Sequence, residues 1–109
     1  MNKLQETVNQ IIETRNNISD LNEIKLNLLS DVEYLRAELY MDITDEPKKY
    51  GISKLTKDLI DSIVMLNEPY HILALKLKNT QIEIFTQESN LKNQELILKI
   101  IEELKSEVK

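Results

Sequence analysis

The sequence predicts an all-α fold: two long amphipathic helices forming an antiparallel helical hairpin, with a short helix between them and self-association to follow. Three observations carry that expectation. The 109 residues include one glycine and two prolines, too little turn chemistry for sandwiches, barrels or glycine-rich nucleotide-binding folds. Apolar residues recur at heptad spacing through both ends of the chain. The main breaker-containing stretch, Asp42 to Ser53 (DITDEPKKYGIS), lies between them. A chain of this length suits a single domain, residues 1–109.

The first helix is expected over about residues 2–41. Steps of seven from Leu4 give Ile11, Ile18, Lys25, Val32 and Leu39, and the interleaved series gives Thr7, Thr14, Leu21, Leu28 and Leu35. Together they make one apolar stripe, widened by Val8, Ile12, Ile24 and Leu29. The stripe is weakest where Thr7 and Thr14 interrupt it. Residues 42–53 then read as a loop, holding Pro47, Gly51 and clusters of acids and bases.

A short helix follows over about residues 54–66, capped by Ser53 or Thr56, with Leu55, Leu59, Ile60, Ile63 and Val64 on one face. Asn67-Glu68-Pro69 starts the last helix, about residues 68–107, with Asn as cap and Pro in the first turn, where its missing N–H costs nothing. Here the heptad series are Tyr70, Leu77, Ile84, Leu91, Leu98, Lys105 and Leu73, Thr80, Gln87, Gln94, Ile101, Val108. The stripe is apolar at both ends and polar through its middle. Lys25, Thr80, Gln87 and Gln94 either fix register, as buried polar seam residues do in coiled coils, or sit at the edge of a stripe that drifts because a straight helix repeats at 3.6 residues. The drifting stripe is the simpler expectation.

Ile72, Leu75, Ile82, Phe85, Ile97, Ile100 and Leu104 broaden the apolar surface of the last helix beyond the width of one partner. Part of that surplus suits the short helix. The rest points to a homo-oligomer or partner surface, with Ile82, Phe85, Ile97, Ile100 and Leu104 as its candidates.

Catalytic patterns are scarce. With no cysteine and one histidine, His71, the chain lacks thiolate sites, HExxH motifs and two-histidine shuttles, and one glycine forbids phosphate-cradling loops. Glu102-Glu103 and Asp45-Glu46 read as solvated surface, and no ExxH motif accompanies them. The expectation is a non-enzymatic protein with no cofactor, no metal and no small-molecule substrate. No apolar run of signal-peptide or membrane-span length is present, so membrane partners are not expected and a cytoplasmic location is.

Charge is unevenly placed. The net charge of −5 argues against general attraction to nucleic acid. Residues 1–46 nevertheless hold four bases and ten acids, and residues 83–109 four bases and six acids, whereas residues 47–82 hold six bases and three acids. Lys48, Lys49, Lys54 and Lys57 occur in one acid-free run, followed by Lys76 and Lys78. With Arg36, Tyr50 and the neighbouring Tyr40 and Tyr70, these bases combine cations that track phosphates with rings that stack on bases, the combination used to hold single-stranded nucleic acid. The alternative is that the tyrosines plug the end of the core and the lysines only solvate it.

The stretch Leu35-Arg36-Ala37-Glu38-Leu39-Tyr40, then a basic loop, a short helix and a long final helix, resembles the phage recombination mediators of the UvsY type, in element order over roughly the last seventy-five residues. The resemblance implies a small helical oligomer that binds single-stranded DNA and helps load a recombinase, with recombination proteins as further partners, in the host cell if phage-encoded. In that family the corresponding run carries a second basic residue. Here Arg36 fits the first position and Glu38 stands at the second, which shifts the burden of DNA binding to Lys48, Lys49, Lys54 and Lys57. The competing class is a protein-interaction or scaffold coiled coil, including a small acidic inhibitor of a nucleic-acid-binding protein, with no DNA binding of its own.

Overall fold

A computed structural model describes residues 2–107 as helices α1 (Lys3–Asp45), α2 (Lys57–Leu66) and α3 (Glu68–Glu107), with a 3₁₀ turn at Pro47–Tyr50. Among the described residues there is no strand. No glycine or proline interrupts the 43 residues of α1. Its heptad positions from Leu4 to Leu39 are all buried or half-buried, and so are those of α3 from Tyr70 to Ile101. A straight helix would rotate its stripe by about 20° per heptad and carry these residues out of the seam. The heptad positions keep to the covered side of each helix: Lys25, Thr80, Gln87 and Gln94 are half-buried, and Thr7 and Thr14 are buried.

The residues group into two compact units, Met1–Ile24 with Thr80–Lys109 and Lys25–Asn79. In the first unit the beginning of α1 runs antiparallel to the end of α3. Ile11 and Ile84 are its buried apolar residues. The Thr7 hydroxyl donates to the Lys3 carbonyl at 2.8 Å, which satisfies it inside the seam. Arg15 Nη2 and Glu95 Oε1 meet at 3.6 Å on the rim, both side chains about half exposed, an arrangement worth little stability in water.

The second unit has a denser centre. Ile43, Ile52, Ile60 and Val64 form its core, with Leu39, Tyr40, Tyr50, Ile63 and Tyr70 packed against them. Residues 42–45, expected in the loop, instead continue α1. The reason is Ile43, fully buried at 0% exposure, whose place in the core requires one more helical turn. The chain then reverses through the 3₁₀ turn and Gly51, whose φ of 72° is left-handed and suits glycine. Ile52 N–H donates to the Pro47 carbonyl at 3.1 Å and delivers the Ile52 side chain to the core.

Thr56, not Ser53, caps α2, accepting the Leu59 N–H at 3.2 Å. The helix therefore starts at Lys57 and leaves Leu55 outside it. Leu55 and Leu59, expected on the buried face, are exposed, and the face narrows to Ile60, Ile63 and Val64. Asn67 closes α2 and opens α3, its Oδ1 accepting the Tyr70 N–H at 3.0 Å.

Candidate nucleic-acid interface and apolar surface

Every basic or aromatic candidate, Arg36, Lys48, Lys49, Tyr50, Lys54, Lys57, Lys76 and Lys78, falls in the second unit. Every apolar candidate, Ile82, Phe85, Ile97, Ile100 and Leu104, falls in the first. The candidate bases and the candidate apolar residues thus fall in different units, although exposed apolar side chains occur in both.

Among the basic-end candidates Arg36, Lys49 and Tyr50 are engaged as follows. Arg36 on α1 lies with Nη2 4.0 Å from Asp61 Oδ1 on α2 and its guanidinium 6.0 Å from the centre of the Tyr40 ring. The Tyr40 hydroxyl donates to the same carboxylate oxygen at 2.6 Å. Lys49 Nζ sits 3.2 Å from Asp42 Oδ2 and 5.7 Å from the Tyr50 ring centre, and the Tyr50 hydroxyl donates to Asp42 as well. Each acid thus receives a tyrosine hydroxyl and a cation.

These bonds show in the proton affinities. The Tyr50 hydroxyl, and after it the Lys49 ammonium, hold the Asp42 carboxyl below its usual range. The bonds to Asp42 raise both Tyr50 and Lys49, and the bond to Asp61 raises Tyr40. The neutral phenols of Tyr40 and Tyr50 and the charged forms of Asp42 and Lys49 are therefore favoured.

Lys48, Lys54, Lys57 and Lys78 are exposed and make no ion pair among the described residues; Lys76 is exposed too. Lys48 borders an open depression of about 390 Å³ lined also by Pro47, Gly51, Ile52 and Ser53. Arg36 and Asp61 border a smaller cleft of about 200 Å³, lined by Val64, Met65 and Tyr70. The tyrosines Tyr40, Tyr50 and Tyr70 pack on the core, so their rings are not free platforms for bases.

Sequence reasoning missed Asp42 and Asp61, which organise this end. The signal available was position: Asp61 stands between Ile60 and Val64, the buried residues of α2, at the border of its core face.

The apolar candidates are solvent-exposed as expected, Phe85 at 72% and Leu104 at 57%, and Leu96, unanticipated, joins them at 57%. Among the described residues no three His, Asp or Glu side chains gather as a metal site, and no helix is long and apolar enough to cross a membrane. Comparison with known proteins gives no matching family model, no matching curated protein and no matching solved structure.

Proposed function

We propose that this chain is a non-enzymatic helical protein that acts by self-association. The observation that carries the proposal is its balance of apolar surface. Among the described residues six apolar side chains are buried, while seventeen large ones are exposed, spread over α1, α2, α3 and the segment leading into α2. The accessible surface is 8308 Å², against about 6,300 Å² for a folded monomer of this mass. The excess is more than the roughly 800 Å² that each partner contributes to a standard interface. The absence of cysteine and the single histidine and glycine support the non-enzymatic part. Light scattering over a concentration series tests the proposal: the expected mass is a multiple of 12.8 kDa, and a strict monomer at every concentration overturns it.

A second proposal, single-stranded DNA binding by the basic end, is favoured by Lys48, Lys54, Lys57 and Lys78, four exposed lysines that the fold leaves uncommitted. The resemblance described above extends it to a recombination-mediator role with recombination proteins as partners. One copy offers few phosphate contacts, and an assembly repeats them along a strand. Fluorescence anisotropy with labelled oligo-dT at two salt concentrations is the test. Binding that weakens steeply with salt supports phosphate contact. No binding at low salt leaves the scaffold role alone.

A further inference from the structure

The exposed apolar residues near the end of α3 are ordered in a way that specifies their occupant. Leu96, Ile100 and Leu104 are spaced by four, so they form a single ridge along the helix, and their exposures are 57%, 48% and 57%. The ridge reads the same in both directions: leucine, isoleucine, leucine. One neighbouring row, Ile97 and Ile101, is apolar, and the other, Glu95, Lys99 and Glu103, alternates in charge.

From this pattern we propose that the end of α3 is a two-fold interface between two copies of this chain, with the symmetry axis passing beside Ile100. The inference rests on the self-association proposed above and names its face and geometry. A two-fold axis across antiparallel helices sets Ile100 against the partner's Ile100 and Leu96 against the partner's Leu104. The same operation keeps like flanks together. On the charged flank Lys99 then lies about two residue rises, roughly 3 Å along the axis, from the partner's Glu103, and symmetry repeats that pair. On the apolar flank Ile97, 45% exposed, widens the ridge on each copy. Interdigitation of four-spaced ridges is the commonest helix packing, and residues on the facing ridges approach closely because helix axes there are 8–10 Å apart. An unrelated partner has no reason to match a palindromic ridge with alternating charge beside it. A second copy matches it by construction, and the face is open to receive one, with Leu96, Ile97, Ile100 and Leu104 between 45% and 57% exposed.

The chain has no cysteine, so single cysteines report the geometry cleanly. Ile100→Cys should form a disulfide-linked dimer in high yield under mild oxidation, because the axis brings the two positions together. Ser53→Cys, exposed in the other unit, should not. Ile100→Glu should lower the mass seen by light scattering while circular dichroism retains the helix signal. If the native protein and Ile100→Glu have the same multimeric mass and Ile100→Cys does not cross-link, the two-fold interface is wrong although self-association stands. A native protein that is monomeric throughout removes both.

Discussion

The Tyr40 hydroxyl donates a 2.6 Å hydrogen bond to Asp61, joining α1 to α2 across the second unit. Arg36, one turn before Tyr40 on α1, lies 4.0 Å from the same carboxylate, so one acid links two residues of the long helix to the short one. Tyr40→Phe keeps the ring in its place on the core and deletes only the bond. It should lower the urea midpoint without changing the slope, since the surface exposed on unfolding is nearly the same. Asp61→Asn should give a smaller loss, because the amide oxygen still accepts from Tyr40. Equal midpoints for native protein and Tyr40→Phe would show that the bond does not hold α2.

The second acid, Asp42, makes stability depend on pH in a stated direction. Its carboxyl is held below its ordinary value by Tyr50 and Lys49. A depressed folded pKa means that the contribution is present above the unfolded value, about 4, and is lost as pH falls through the folded one. Tyr50 and Lys49 are raised by the same contact. Their contribution is full below their unfolded values, about 10, and is lost as pH rises through the folded ones. Urea midpoints should therefore be flat from about pH 5 to 9 as far as this cluster is concerned, and decline on both sides. Asp42→Asn should flatten part of each limb relative to the native protein. If both limbs persist unchanged in Asp42→Asn, other groups govern them.

Gly51 gives a separable test of the chain reversal. Its φ is 72°, and an added Cβ would meet nothing within 4 Å. A substitution there therefore meets backbone strain and no clash. Gly51→Ala should cost about 1–2 kcal/mol, the ordinary penalty for an L-residue in the left-handed region. Gly51→Asn should cost less, because asparagine tolerates that conformation. Equal effects of alanine and asparagine would argue that the turn changes its path when glycine is lost. Circular dichroism melts of the two variants measure the difference.

Much of the architecture was legible because it is repetitive. Heptads from Leu4 and from Tyr70 located both long helices, and Asn67 with Pro69 located the beginning of α3. The local signals failed where tertiary contacts override them. Asp42 to Asp45 contain no strong helix former, yet Ile43 belongs to the core and holds the helix there. Leu59 has the spacing of a core-facing residue, but it stands in the first turn of α2, three residues after the Thr56 cap, and is exposed. Of the candidate site, the gathering of lysines into residues 47–82 was readable from charge by segment. The engagement of Arg36 with Asp61 and of Lys49 with Asp42 was not, since it depends on where α2 and the 3₁₀ turn dock. The polar positions of the seam are legible as interruptions of the heptads, but their depth is not, because a stripe in sequence does not report whether the helix follows 3.5 or 3.6 residues per turn.

Gln94 is where that seam is weakest. Its Oε1 is shielded from water and has no hydrogen-bond partner, in a seam that also carries Gln87 and the buried Thr14 within the first unit. A shielded acceptor without a partner costs about 1–3 kcal/mol, and replacing it by an apolar group of similar size removes that cost. Gln94→Leu should therefore raise stability by about 1–2 kcal/mol, and hydrogen exchange should slow in the first unit more than in the second. The gain has a counterpart in specificity. A polar seam residue disfavours alternative registers, which strand it equally or worse, and a uniform leucine seam tolerates several. Gln94→Leu should accordingly broaden the distribution of masses in light scattering while the melt becomes more stable. A variant that is less stable than the native protein would mean that Gln94 is hydrogen-bonded in solution and contributes to the seam directly.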